Sequence, residues 1–205
     1  MTVAEVVARL GALAADPAAR VTCSVAGESG SGKTTLARRL ARELAERKVE
    51  AVVIGQDDYF VLPPRRNAAR RVAEPGWVGR GEVQLELLAE HLAAFVAGAA
   101  HIDKPRLERA ADRFITERIE LQSTQVLIVE GTYVTRLQPL DLRVFLAGDF
   151  RQTERARRAR GRDPIDGHTD AILAVEHDLI AADRELADVV LPPWVARPGD
   201  ELPSR

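Results

Sequence analysis

Residues 27–34 read Gly27-Glu28-Ser29-Gly30-Ser31-Gly32-Lys33-Thr34 and satisfy G-x-x-x-x-G-K-[ST] at each fixed position. In that pattern the glycines let backbone N–H groups turn in around phosphate oxygens, and the following helix N-terminus adds the positive end of its dipole. Lys33 then lies on the β- and γ-phosphates, and the Thr34 hydroxyl on a magnesium ion. Three more groups of residues could share in that chemistry. Gln56-Asp57-Asp58-Tyr59-Phe60 carries two adjacent carboxylates, either of which can take a proton from an acceptor hydroxyl; the same pair also suits a cap or a turn. Glu130 closes the apolar run 125–131 in a Walker-B-like position, where a carboxylate meets Mg²⁺ directly or through water. Arg151, Arg155, Arg157, Arg158, Arg160 and Arg162 crowd one segment, and a guanidinium fork is suited to charge on a transferring phosphoryl group. A basic, solvated helix face is the alternative reading of that run.

The elements that must position these groups are legible from periodicity. Residues 20–26 form a β-branched, mostly apolar run of strand length, and Leu36, Leu40 and Leu44 fall four apart after the glycine loop, so the motif stands in strand, loop, helix order. Runs at 49–55, 125–131, 141–147 and 187–191 are too continuous for exposed hairpins and predict buried parallel strands. Five such strands separated by helical stretches predict an α/β fold, a five-stranded parallel sheet with helices on both faces. Ligands in such sheets bind beyond the carboxyl ends of the strands, where Asp57, Asp58 and Glu130 all fall.

Elsewhere Val3, Val6, Val7, Leu10 and Leu13 predict a helix ending near Asp16-Pro17, and Leu85, Leu88, Leu92 and Phe95 predict another, with His91 on its surface. Residues 61–81, rich in Pro, Gly and Arg, predict a long loop in which Trp77 either stacks on a ligand or anchors the loop. In 100–121, Lys104-Pro105-Arg106 predicts a turn; Arg106, Arg109 and Arg113, three to four apart, suggest a solvated helix face or a surface for an anionic substrate. Residues 194–205 read as a loose tail.

The chain has 205 residues, a length for one well-buried domain, and a formal net charge of -2 that argues against a broad nucleic-acid or anionic-membrane surface. Cys23 is the only cysteine, which excludes an intrachain disulfide and a cysteine-cluster metal site and fits a cytoplasmic setting. The first twenty residues lack the basic start and unbroken apolar stretch of a signal peptide, and nothing in the chain reads as a membrane span.

Taken together, Gly27 to Thr35 (GESGSGKTT), Gly55 to Phe60 (GQDDYF), Val129-Glu130-Gly131, Arg155 to Asp163 (RARRARGRD) and Ala187 to Val190 (ADVV) resemble the uridine kinase and phosphoribulokinase-like P-loop kinases, in that family's order and over nearly the whole chain. The resemblance implies a P-loop NTPase fold over 1–205, with an arginine-rich lid at about 150–168 and an acceptor-binding region at about 57–115. It implies ATP and Mg²⁺ as cofactors, bound by residues 27–35, including Thr35, and by Arg162. Asp57 would be the catalytic base, Lys33, Arg155 and Arg158 the groups on the phosphoryl oxygens, and Thr34 and Glu130 the magnesium side. Asp57, Asp58, Tyr59, Trp77 and Arg106 would meet the acceptor. Nothing in the resemblance calls for nucleic acid or membrane, and a homodimer is left open.

The acceptor region departs from the family. Nucleoside-binding members carry W-D-x-P-x-A-F-D where this chain has Trp77-Val78-Gly79-Arg80-Gly81-Glu82-Val83-Gln84, which transfers any ribose contact to Glu82 or Gln84. The family's P-x-Y-D followed by histidine becomes Pro105-Arg106-Leu107-Glu108, with Asp112 in the histidine's place, so the aromatic clamp for a pyrimidine is missing. Two alternatives to a uridine kinase-like activity stand beside it. One is a nucleotide-dependent switch without an acceptor, although no N-K-x-D guanine-reading motif is present. The other is a kinase for an anionic non-nucleoside metabolite, suggested by Arg65, Arg66, Arg106 and Arg109.

Overall fold

The computed structural model describes residues 1–160 and 167–194. Its centre is β1 (Val21–Gly27), every residue of which is buried. On one side β1 pairs with β5 (Val126–Gly131), and β5 with β2 (Ala51–Gly55); on the other it pairs with β6 (Leu142–Leu146), and β6 with β7 (Val189–Leu191). All four pairings are parallel, giving the order β2-β5-β1-β6-β7 that the five apolar runs predicted. Parallel strands need crossover helices, which cover both faces and explain why the runs are continuously apolar. Along β5, Val126 and Ile128 pack into one apolar layer with Leu36, Leu40 and Leu44 of helix α2 (Lys33–Ala45) and with Val6, Val7 and Leu10 of helix α1 (Val3–Leu13). Leu127 and Val129 face the opposite layer with Leu88, Leu92 and Phe95 of helix α4 (Leu85–Val96), which follows α3 (Pro64–Ala73). Each α2 leucine is fully buried, and burial of such a side chain contributes about 1.5–3 kcal/mol. Cys23 lies in the same core, where burial pushes its thiol up to about 12, so it packs and does not react.

Register fixes the site. Glu130 stands opposite Val25 of β1 on one side and Gly55 of β2 on the other, which sets its carboxylate between the entry to the glycine loop and the segment carrying Asp57. The P-loop, Gln56–Tyr59 and Glu130 therefore meet at one end of the sheet.

Two expectations are corrected. Residues 61–81 are not a structureless loop: they contain α3, opened by Pro64 in its first turn, and two single 3-10 turns at Pro75–Trp77 and Arg80–Glu82. Residues 100–121 are not helical either. They form an antiparallel hairpin of β3 (His101–Glu108) and β4 (Arg113–Glu120), with the turn at 109–112 and Pro105 inside β3. In this two-stranded hairpin Ile102 and the aliphatic stem of Lys104 point inward.

Candidate active site

The glycine loop closes tightly on its neighbours. Gly32 is the N-cap of α2 with φ of 90°, and a Cβ there would come within 2.3 Å of the Trp194 carbonyl oxygen. At Gly30, φ of 80°, a Cβ would meet Arg157 at 2.6 Å. Both positions demand glycine by conformation and by space. Lys33 Nζ donates to the Glu28 carbonyl at 2.8 Å, so the ammonium lies over the loop. The Thr34 hydroxyl donates to Glu130 Oε1 at 2.9 Å, joining the two residues expected to share a magnesium ion. Burial pushes the Glu130 carboxyl above the usual carboxylate range; Lys33 pulls it back, and the charge of Asp57 pushes it further. Register and the Thr34–Glu130 bond set Lys33, Thr34 and Glu130 at the sheet end where the segment carrying Asp57 begins.

The two adjacent aspartates divide their work. Asp58 accepts from Lys104 Nζ at 2.5 Å and from the Leu107 amide at 2.9 Å, pinning the hairpin to the sheet. Lys104, itself buried, also pairs with Glu117 at 3.2 Å. Asp57 instead keeps an exposed carboxylate, which meets Arg109 of the hairpin turn at 2.5 Å. Of the pair, Asp57 is the more exposed, with a side chain 57% accessible against 24% for Asp58.

Other residues expected at the acceptor are otherwise occupied. Tyr59 is fully buried in the layer under α4, its hydroxyl 2.8 Å from His91 Nδ1; it wedges the 3-10 turn against α4 and offers no surface to a substrate. His91 is correspondingly a buried partner of Tyr59, not the surface residue expected, and burial lowers its pKa. Trp77 donates from its indole to Asn67 Oδ1 at 2.8 Å, and the Arg70 guanidinium covers its ring at 3.6 Å, which makes it the anchor of its loop. Arg106 is half-exposed on β3 and pairs with Glu117 at 3.6 Å and Glu108 at 3.7 Å. Glu82 is fully buried and accepts from Arg71, Asn67 and the Gly79 amide, so it holds no ribose; Gln84 is half-buried with its amide 3.5 Å from the Phe60 carbonyl.

In the segment expected to form a lid, Arg155 and Arg158 lie exposed on helix α5 (Glu154–Arg160), Arg158 paired with Glu154 at 2.5 Å. Residues 161–166, with Arg162, and 195–205 of the expected tail lie outside the described residues; Trp194, the first residue of that tail, is not loose but packs on the core and donates its amide to the Ser31 carbonyl at 2.7 Å. The side chains that tie this region to the P-loop were not singled out by spacing. Glu28, inside the loop, accepts from the Phe150 amide at 2.5 Å and meets His177 Nδ1 of helix α6 (Gly167–Ala181) at 2.6 Å. Thr153 Oγ1 donates to the Ser29 carbonyl at 2.8 Å, and Arg157, buried, donates to the Phe150 carbonyl at 3.0 Å. The hydrogen bond to Glu28 pushes the His177 imidazole above its ordinary pKa.

These residues fit a magnesium–nucleotide complex. The backbone N–H groups that lead into the N-terminus of α2 suit phosphate oxygens, and the Thr34 hydroxyl with the Glu130 carboxylate is a hard-oxygen pair. Among the described residues no cluster of three His, Cys, Asp or Glu side chains could hold a metal. No helix among the described residues is long and apolar enough to cross a membrane.

The comparisons with known proteins agree with this geometry. The bifunctional alpha-galactosidase/sucrose kinase AgaSK of Mediterraneibacter gnavus is 32% identical over 156 residues, 70% of this chain, but this match spans only 17% of that longer protein. The uridine kinase of Halalkalibacterium halodurans is 28% identical over 184 residues, covering 84% of this chain and 85% of its own length. Among solved structures, phosphoribulokinase from Rhodobacter spheroides superposes with a TM-score of 0.59 at 19% identity, covering 83% of this chain and 69% of its own, a likeness of fold. Residues 22–193 match the Phosphoribulokinase / Uridine kinase family, and the chain belongs to that family of small-molecule kinases.

Proposed function

We infer that this protein transfers the γ-phosphoryl group of ATP to a hydroxyl of a small molecule, with Asp57 as the base. One observation carries the reading: Asp57 keeps an exposed carboxylate on the segment that follows β2, at the sheet end where Lys33, Thr34 and Glu130 lie. Magnesium-bound ATP would supply the electrophilic phosphorus and a neutralised leaving group. The P-loop amides and Lys33 hold the phosphates, Thr34 and Glu130 hold the cation, and Arg155 and Arg158 lie on the lid side to meet charge on the transferring group. Asp57 orients the acceptor hydroxyl and takes its proton. Before that step the acceptor must displace Arg109, which the exposure of the pair makes inexpensive.

A nucleotide switch without an acceptor has less support, because Glu130 beside Thr34 already suits the cation and the second, exposed carboxylate at Asp57 suits hydroxyl activation. The test is Asp57→Asn. Replacing the base should lower kcat by about 10²–10⁴-fold while the KM for ATP stays within a few-fold. Wild-type turnover in that variant refutes the assignment.

A further inference from the structure

The second residue of the glycine loop is a carboxylate, and the transfer chemistry above gives it no part. Glu28 is only 7% exposed, and its side chain turns toward the segment that leads into α5. Oε2 accepts from the Phe150 amide at 2.5 Å, and Oε1 lies 2.6 Å from His177 Nδ1 of α6. The Glu28 carbonyl in turn accepts from Lys33 Nζ at 2.8 Å and from the Ser31 amide at 3.1 Å. The residue that meets His177 therefore belongs to the same turn as the phosphate lysine. The His177 ring packs edge-on to Phe150, with centroids 6.1 Å apart, which fixes its place on the carboxylate.

A buried negative charge at this position works against the loop that carries it. Loop amides gather phosphate oxygens, and a carboxylate within a side chain's length of them lies inside the about 8 Å over which even exposed charges act at physiological salt. Burial weakens the screening further. Glu28 therefore repels the phosphates unless a cation cancels it, and the cationic group in contact with its carboxylate is the His177 imidazole. Other charges face the pair. Asp149, paired with Arg151 at 3.4 Å, and Asp178 on α6 both favour the protonated ring; Glu176 next along α6 is held by Arg71. Lys33 meets the Glu28 carbonyl and Arg157 the Phe150 carbonyl. The hydrogen bond to Glu28 raises the imidazole pKa above its ordinary 6.5, against the opposing effect of burial. A neutral imidazole can still donate through Nδ1, so losing the proton removes the charge and keeps the bond.

We propose that Glu28 and His177 make nucleotide binding proton-linked: the pair is neutral and admits the phosphates when the imidazole is protonated, and the uncompensated Glu28 charge weakens them when it is not. This rests on the assignment of residues 27–35 to ATP. By reciprocity the bound phosphates tighten the proton on His177, so the complex takes up protons as it forms. Titration calorimetry of the full chain with Mg²⁺ and the β,γ-imido analogue of ATP, in buffers of different ionisation enthalpy, reads affinity and proton uptake together. Wild-type affinity should fall about fivefold or more from about pH 6 to about pH 8.5, with net proton uptake where it falls. His177→Gln still offers a donor to Glu28 but no titrating charge, so it should bind at the weak, high-pH level throughout and supplies the nucleotide's own proton balance. Glu28→Gln keeps an acceptor for the Phe150 amide and removes the charge, so at the high end of the range it should bind more tightly than the wild type. A clamp that acted through structure alone would give the opposite, weaker binding in Glu28→Gln at every pH. That result, or the same pH dependence in wild type and His177→Gln, overturns the inference and leaves the nucleotide site standing. An analogue that binds the wild type at no pH removes the ATP assignment and this inference with it.

Discussion

Glu82→Gln discriminates between two roles for a residue that the family's motif would set against a ribose. The structure gives Glu82 no exposure, two bonds from Arg71, one from Asn67 and one from the Gly79 amide. Glutamine keeps the shape but turns one acceptor oxygen into an NH₂ group, which must then face one of those donors. It also leaves Arg71, whose side chain is only 17% exposed, with Glu176 as its remaining carboxylate. Removing one partner of a buried ion pair costs about 3–5 kcal/mol. For a chain of this size each kcal/mol lowers the melting temperature by roughly 2–4 °C, so the variant should melt roughly 6–20 °C below the wild type. Thermal unfolding followed by circular dichroism, with calorimetry as a check on two-state behaviour, reads this directly. A melting point within about 2 °C of wild type, together with a raised acceptor KM, would refute the argument and return Glu82 to the substrate site.

Three further outcomes follow from the same geometry. Because the partnership with Glu28 raises the His177 pKa in the folded state, its stabilisation is fully present below the unfolded value of about 6.5 and is lost as pH rises through the folded value. Melting temperatures across pH 6 to 8 should therefore fall more steeply in the wild type than in His177→Gln; equal slopes would exclude the contribution. Thr34→Val should lower affinity for ATP about tenfold or more when Mg²⁺ is present and much less in EDTA, as read by calorimetric titration; equal losses in both conditions would remove Thr34 from the metal. Gly32→Ala places a Cβ 2.3 Å from a backbone carbonyl at a φ of 90°, so it should cost at least about 1–2 kcal/mol and abolish nucleotide binding; a normally binding variant would contradict the described loop.

What could be read from the sequence divides along physical lines. The five strands were legible because burial on both faces leaves a continuous apolar run, and the P-loop because phosphate binding dictates glycine, lysine and hydroxyl at fixed spacing. Helix α3 was not, since its only buried residue is Asn67 and it is held by Arg70, Arg71 and Trp77 in polar and cation–π contacts instead of an apolar stripe. The hairpin was hidden for a related reason: Lys104 occupies an inward position where alternation calls for an apolar residue, and its charge is answered by Asp58, 46 positions away. His91 sits between Leu88 and Leu92 and gives no local hint that its partner is Tyr59. Pairs such as Glu28 with His177 share no spacing rule at all, because the fold alone brings them together.

The contact between Gly32 and Trp194 ties the glycine loop to the chain just beyond the last strand, reinforced by the Trp194 amide donating to the Ser31 carbonyl at 2.7 Å. Since ribosomes deliver a protein from its N-terminal side at about 5–20 residues per second, the loop emerges many seconds before the segment that seats it. A nascent polypeptide halted anywhere between α2 and β7 would thus carry the whole glycine-loop signature and still lack the wall against which it rests.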